Sequence, residues 1–328
     1  MGEVRVNVAG LLTTIQDAKG RPGLGRFGIP RGGAMDAAAA QLANRLVGNH
    51  PDAPLLEITM HGPTLEWPTG ALVGLAGADL GAVIGGRRLA PGLSYRVPAG
   101  GILRFDGANA GPGFDGAALG ARTYLAVDGG FAVKPVLGSA STDRRSGFGG
   151  LEGRALRDGD VLRFNGDGSG PVRSAIGPTR GPDVGEPLLV IPTPASLGWF
   201  APSAVLTLFT TSWTVAPASD RSGILLTGGR IAARAAGIAS LGVPVGSIQV
   251  PPSGEPIITM ADGPVTGGYP VIGVVPRFEI GRLAQLGPGA AVRFARSSVR
   301  VARLVHAERD REAPIDLDEG DFAASWAQ

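Results

Sequence analysis

Short apolar runs separated by glycine- and proline-bearing turns recur along most of the chain. Val4, Val6 and Val8 fall at every second position, so the first twelve residues are predicted to open the fold with a strand that turns these three side chains to one face. Residues 20–33 are a loop dense in Gly and Pro. The period then changes: Leu42 and Leu46 are four apart, Ala37 to Ala40 favour helix, Asp36 can cap the start and Gly48 can end it. A helix over 36–47 is expected.

From 55 to 105 the pattern changes to short apolar strands with intervening turns. Ala82-Val83-Ile84, then Gly85-Gly86, then Arg87-Arg88-Leu89 has the form of a tight hairpin. The string Gly-x-x-x-Arg-Phe recurs, and its copies ending at Phe105, Phe164 and Phe294 carry apolar residues before the Arg. We read these as equivalent turn-to-strand elements of a repeated, barrel-like unit. Residues 165–186 are polar, rich in Gly and Pro and without apolar periodicity, which places a domain boundary there. The expected organisation is one domain over 1–186, a second over 187–305 and a loosely held charged tail over 306–328. Within the second, helices are expected near 203–209 and 277–286 and strands near 224–226 and 257–260.

Composition sharpens this picture. The chain of 328 residues holds 54 Gly and 27 Pro, yet 44% of residues are hydrophobic and only 18% charged, which excludes disorder and favours a mainly β fold. Net charge is +2, Lys19 and Lys134 are the only lysines, and the arginines are scattered, so no phosphate-tracking stripe for nucleic acid exists. No cysteine is present, which removes disulfides, thiolate catalysis and cysteine-held metals. No apolar run reaches 18 residues and no leader pattern is visible, so a cytoplasmic protein without a membrane partner is expected.

Four segments could carry chemistry. Residues 138–153 combine Ser139, Ser141, Thr142, Arg144 and Arg145 with several glycines, a mixture able to offer hydroxyls, guanidinium forks and bare N–H groups to an anion, or to form an ordinary solvated loop. Thr266-Gly267-Gly268-Tyr269-Pro270 lets backbone approach a ligand, with Asp262 and Tyr269 supplying a carboxylate and a phenol; a tight hairpin with a packed Tyr is the alternative. Gly32-Gly33-Ala34-Met35-Asp36 could hold an anion at a helix N-terminus, but Asp36 can satisfy those donors itself. Arg221 has three open roles: pairing with Asp220, bonding a nearby carbonyl, or clamping a carboxylate substrate. Neither lysine follows Gly, so no Walker A loop can form. His50, His61 and His306 stand apart, so no metal site is expected.

Ordered blocks along nearly the whole chain carry a family resemblance. They are Thr13-Thr14-Ile15-Gln16-Asp17, Gly20-Arg21-Pro22-Gly23, Ala43-Asn44-Arg45-Leu46-Val47-Gly48-Asn49, Leu56-Glu57-Ile58-Thr59, Gly77-Ala78-Asp79-Leu80 and Val136-Leu137-Gly138-Ser139. Glu152-Gly153-Arg154-Ala155-Leu156, Ser219-Asp220-Arg221, Gly246-Ser247-Ile248-Gln249-Val250-Pro251-Pro252 and Thr266-Gly267-Gly268-Tyr269-Pro270 follow. In this order they resemble the family of C-type 5-oxoprolinase subunits, also labelled allophanate hydrolase subunit 2, the Kip-inhibitor antagonist, or the second half of the urea carboxylase carboxyltransferase domain. The resemblance implies two fused cyclophilin-like β-barrel domains. It also implies a B-type partner subunit resembling the Kip inhibitor and allophanate hydrolase subunit 1, a third, A-type subunit, and ATP, arriving with Mg²⁺, used to open the lactam of 5-oxoproline.

On this resemblance Asp262, Tyr269 and Arg221 are the expected catalytic residues. Ser139, Ser141, Thr142, Arg144, Arg145, Gln249, Thr266, Gly267 and Gly268 are the expected binding residues. The chain departs from the family pattern at Asp262-Gly263-Pro264-Val265, where a positive charge is missing, and at Thr193-Pro194-Ala195. Two other functions are compatible with the blocks: half of a biotin-dependent carboxyltransferase acting on urea or a similar amide, and a non-catalytic regulator that binds a Kip-inhibitor-like protein. Lys19 and Lys134 lie in Ala-Lys-Gly and Val-Lys-Pro, so biotin is not attached to this chain.

Overall fold

The computed structural model describes residues 1–106, 120–176, 186–312 and 316–319. They form two compact units, one of Met1–Arg21, Gly32–Pro182 and Ile315–Gln328, the other of Pro22–Arg31 and Asp183–Pro314. The chain is mainly β with a few short helices. Among the described residues no helix is long and apolar enough to cross a membrane.

Unit 1 begins with β1 (Gly2–Val8), β2 (Leu12–Gln16), β3 (Leu55–Thr59) and β4 (Thr64–Trp67). It continues with β5 (Ala71–Gly77), β6 (Ala82–Ile84), β7 (Arg87–Leu89), β8 (Leu93–Val97), β9 (Gly101–Phe105), β10 (Arg122–Val127), β11 (Val161–Phe164) and β12 (Arg173–Ile176). One sheet runs β11-β1-β4-β9-β6-β7; the other runs β2-β3-β10-β5-β8-β12 and ends on the strand Asp316–Glu319. Their inner faces share one apolar core that includes Val4, Val6, Ile15, Ile58, Trp67, Leu125 and Phe164. Each fully buried side chain of this size contributes roughly 1.5–3 kcal/mol relative to exposure. Val8 leaves the pattern of Val4 and Val6: a bulge between Val6 and Val8 breaks the pairing with β4, and Val8 is half exposed.

The expected helix is α1 (Ala37–Leu46). Asp36 Oδ1 accepts from Ala39 N at 3.1 Å, Gly48 N donates to Arg45 O at 3.0 Å, and Leu42 and Leu46 are buried. The helix packs on the outer face of the second sheet, against Leu72, Ala76, Tyr124 and Ala126. Gly74 permits the approach, because a Cβ there would come within 2.4 Å of Ala43 O. Every residue of β10 is buried, as a strand covered by the barrel core on one side and a helix on the other must be.

The hairpin is β6–β7, with Ile84 opposite Arg87 and Val83 opposite Arg88. Gly85 and Gly86 both have positive φ, at 57° and 83°, as a two-residue turn of that twist requires. Three of the four copies of the repeated string share one local structure, while the fourth, Gly273 to Phe278, starts within a strand and ends in a 3-10 turn. Gly100, Gly159 and Gly289 all sit at positive φ (73°, 87°, 84°), a strand starts within two residues of each, and Phe105, Phe164 and Phe294 are buried.

Unit 2 is built on β13 (Leu188–Pro192), β14 (Trp213–Val215), β15 (Gly223–Thr227), β16 (Leu241–Gly242), β17 (Ser247–Gln249) and β18 (Ile257–Thr259). β19 (Thr266–Gly267), β20 (Val271–Val274), β21 (Ala291–Val292) and β22 (Phe294–Arg296) complete it. Eight of these form one sheet in the order β21-β14-β15-β18-β17-β20-β13-β22, and β16 and β19 pair as a separate ribbon. The helices α2 (Ser196–Trp199), α3 (Pro202–Thr210) and α4 (Ile280–Ala284) include those expected near 203–209 and 277–286.

Within the stretch 165–186, residues 173–176 form β12, which pairs with β8 and with Asp316–Glu319. One expectation needs correction. The charged stretch from 306 does not begin a tail, since α5 (Val299–Glu312) runs through it; its Ala, Leu, Arg and Glu content supports helix without apolar periodicity.

Replacing the turn glycines tests the repeat. A Cβ at Gly100, Gly159 or Gly289 would meet nothing within 4 Å, so any penalty comes from φ alone. Each Gly→Ala change is expected to destabilise by about 1 kcal/mol in urea unfolding; an unchanged midpoint in all three would show that the turns relax freely.

Candidate functional site

In unit 1 a buried carboxylate organises the first candidate segment. Asp17 follows β2 and is 3% exposed. Its Oδ2 accepts from Ser139 Oγ at 2.6 Å and Ala140 N at 2.8 Å, and its Oδ1 accepts from Ser141 Oγ at 3.0 Å and Gly20 N at 2.7 Å. Asp17 N donates back to Ser141 Oγ at 2.9 Å. Thr142 Oγ1 and N both donate to Ile15 O at 2.9 Å. Beside this knot Arg21 donates to Val136 O and Ser141 O, at 3.0 and 2.6 Å, and its guanidinium lies 4.8 Å from the Phe148 ring centroid. Ser139, Ser141 and Thr142 are therefore turned inward. Arg144 and Arg145 are exposed.

Arg144 lines an open cleft of about 400 Å³ with Gly153, Arg154, Ala155, Leu156 and Arg157. Arg154 is held by Asp160 at 2.7 and 2.9 Å and by Glu152 at 3.1 Å. The two-pronged bond holds the Asp160 carboxyl below its ordinary range and makes Arg154 a still weaker acid.

The donors at the start of α1 are also spent internally. Met35 N donates to Glu57 Oε2 at 2.8 Å, Asp36 N donates to Tyr124 OH at 2.8 Å, and the phenol donates to Glu57 Oε2 at 2.9 Å. Burial, and then the charges of Glu57 and Asp36, push the Tyr124 phenol well above its usual value, so it remains a donor. The capping role of Asp36 accounts for this N-terminus without an anion.

In unit 2 Arg221 pairs with a carboxylate 41 residues away, not with its neighbour Asp220. Its Nε and Nη2 donate to Asp262 Oδ2 and Oδ1 at 2.7 and 2.9 Å, while Asp220 accepts from Ser222 N and Gly223 N. The Arg221 side chain is 5% exposed and that of Asp262 13%. Nearby in sequence, Thr266–Gly267 forms the ribbon strand β19. Gln249 is buried and donates to Thr259 Oγ1 at 2.9 Å; a Cβ on Gly267 would come within 2.7 Å of Gln249 Oε1, so glycine seats the ribbon on this amide. Gly268 O accepts from Ile238 N at 2.8 Å, and Tyr269 is 42% exposed. Gln249, Thr266, Gly267 and Gly268 thus come together.

Sequence reasoning missed Asp17, Arg21 and Arg154 as organising residues. Their only signal was membership of the family blocks, because the contacts of Asp17 with Ser139 and Ser141 span more than a hundred positions. Among the described residues no three His, Asp or Glu side chains converge on a possible metal position. His306 stacks on Phe278 with ring centroids 5.6 Å apart.

The two ion pairs can be tested separately. Asp262→Ala leaves the buried guanidinium without its carboxylate and is expected to destabilise by roughly 3 kcal/mol in urea unfolding; a loss below about 0.5 kcal/mol would mark the pair as dispensable. The Asp160 carboxyl is depressed on folding, so its stabilisation is present above its ordinary value of 3.8 and is lost as pH falls below it. Asp160→Asn should flatten that part of the stability profile between about pH 2 and 5.

Comparisons with known proteins agree with this architecture. The model of the family "Carboxyltransferase domain, subdomain A and B" matches residues 27–296. The C-type 5-oxoprolinase subunits of Haemophilus influenzae and Escherichia coli are each 35% identical, over 93% and 92% of this chain and 94% of theirs. The urea amidolyase of Lachancea kluyveri is 31% identical over 93% of this chain but only 17% of its own length. Among solved structures, the Kluyveromyces lactis urea carboxylase superposes with a TM-score of 0.82 at 28% identity, covering 94% of this chain and 29% of that one. The protein TTHA0988 superposes with a TM-score of 0.77 at 35% identity, and this chain spans 56% of its length. The chain belongs to the carboxyltransferase domain family, subdomains A and B, and is homologous to the C-type subunits of 5-oxoprolinase.

Proposed function

We propose that this chain is the C-type subunit of an ATP-dependent 5-oxoprolinase, acting with a B-type subunit that resembles the Kip inhibitor and with a third, A-type subunit. The observation that supports it most is the sequence match: the C-type 5-oxoprolinase subunits of Haemophilus influenzae and Escherichia coli are each 35% identical over 94% of their length, against 31% for the urea amidolyase of Lachancea kluyveri.

The reaction adds water across the lactam C–N bond of 5-oxoproline. The water oxygen joins the carbonyl carbon, the C–N bond breaks, and the nitrogen takes a proton, giving L-glutamate. ATP, with Mg²⁺, would supply a phosphoryl group to the carbonyl oxygen otherwise protected by amide resonance, leaving ADP, and a second water would release that group as phosphate. In this reading Tyr269, with its exposed phenol, donates a hydrogen bond to the reacting carbonyl, and Asp262 takes up the proton that water loses. Arg221 acts as a positioning residue that fixes the Asp262 carboxylate through its two-pronged bond. Thr266, Gly267 and Gly268 offer backbone to the ligand, and Gln249 supports the ribbon from below.

Glutamate should form from 5-oxoproline only when all three subunits and ATP are mixed. Tyr269→Phe should lower kcat by about a hundredfold without changing the circular dichroism spectrum. No glutamate from the complete, folded mixture would sink the reading. The urea amidolyase match favours a second reading, half of a biotin-dependent carboxyltransferase served by a separate carrier; carboxylation of urea by such a carrier with this chain and its partner would select it. A partner captured without any turnover would instead favour a regulator.

A further inference from the structure

Among the described residues the open cleft of unit 1 is lined by three arginines, Arg144, Arg154 and Arg157, and by no carboxylate. The acids of the same stretch are occupied elsewhere. Asp143 accepts from Ser146 N at 2.9 Å and Asp158 from Ala9 N at 2.8 Å. Asp160 grips Arg154 and accepts from Arg157 N at 2.7 Å, and Glu152 reaches Arg154 as well. The side chains of Arg144 and Arg157 are exposed, and among the described residues neither makes a hydrogen bond or ion pair. One cation is thus fixed in the wall while two keep their guanidinium forks available.

The wall is also held rigidly. Leu156 N donates to Thr13 O at 2.9 Å, and Gly153 N donates to Gly149 O at 2.7 Å. Glu152 adopts φ +55°, an unfavourable conformation for a residue with a Cβ that persists only where neighbours enforce it. Solvated arginines on a mobile loop would need none of these restraints. The restraints hold the backbone around Arg154 and beside Arg157, and guanidinium forks match the oxygens of a phosphate group in pairs.

We infer that this cleft is a phosphate-binding site, with Arg144 and Arg157 contacting the anion and Arg154 positioning the wall behind it. The site takes the terminal phosphates of a nucleotide. This deepens the ATP-coupled reading, and rests on it for the identity of the anion, by assigning the contact to arginines in place of the inward-turned hydroxyls of Ser139, Ser141 and Thr142.

The test uses the full chain and titrates inorganic pyrophosphate, then ATP, by calorimetry at low ionic strength. Arg144→Gln and Arg157→Gln should each weaken pyrophosphate binding roughly tenfold and ATP binding similarly, whereas Arg230→Gln, an exposed arginine of unit 2, should leave both unchanged. Matching thermal midpoints would keep the variants comparable. Absence of pyrophosphate binding by the natural chain, or equal affinity in all three variants, would overturn the site even if the assembled subunits make glutamate. Pyrophosphate binding lost in the two cleft variants, together with no glutamate from the natural assembly, would uphold the site and remove the 5-oxoprolinase reading instead. Binding of ATP but not pyrophosphate, unaffected by either cleft variant, would place the nucleotide elsewhere and overturn the inference.

Discussion

The carboxylate of Asp17 is the constraint on which the candidate segment of unit 1 depends. Burying an ionised carboxylate is costly unless donors replace the water it loses. Here two serine hydroxyls and two backbone N–H groups do so, drawn from Gly20 and from residues 139–141. The backbone of Asp17 also takes Ala34 N, just before α1. One residue therefore ties the end of a barrel strand, the entry to the helix and the loop leading to the arginine-lined cleft. Arg21 adds a cation whose guanidinium bonds backbone carbonyls of the same loop, so donors and acceptors of both signs are matched within the knot.

The same pattern recurs under α1. Glu57 and Tyr124 face the helix from the second sheet and consume the N–H groups of Met35 and Asp36 that a helix start leaves open. A helix terminus that looks available for an anion in sequence is already filled. Unit 2 follows with Arg221 and Asp262, whose mutual bond converts two separately promising residues into one fixed element. Polar groups in this protein are sorted into those that close the structure and those left at its surface, where side chains have room to meet a ligand. Tyr269, Arg144 and Arg157 are of the second kind.

That sorting bears on why the family can serve different reactions. Relatives named for 5-oxoproline and for urea share most of this chain's length at similar identity. Both substrates carry an amide carbonyl. A scaffold whose buried polar bonds hold its backbone while exposed side chains meet the ligand can keep its fold as the exposed set varies.

Much of the fold was legible because it rests on short-range rules. Period two marks strands, period 3.6 marks α1, Asp36 caps it within three residues, and Gly85-Gly86 turns the hairpin through positive φ. The Gly-x-x-x-Arg-Phe string folds alike at three places but runs out of β20 into a 3-10 turn at Gly273 to Phe278, so the preceding chain shares in deciding its structure. Local rules failed where pairing came from afar: β12 has little apolar content and exists because β8 and Asp316–Glu319 bond it, and Val8 turns outward because a bulge intervenes. The candidate residues show the same division. Composition and order named Ser139, Ser141, Arg144, Arg221 and Asp262, but only the closed fold decided that the serines serve Asp17, that Arg221 takes Asp262 over adjacent Asp220, and that Arg144 keeps its charge unpaired. Hydrogen bonds and ion pairs act over a few ångströms in space, and chain closure alone sets which distant groups come within that reach.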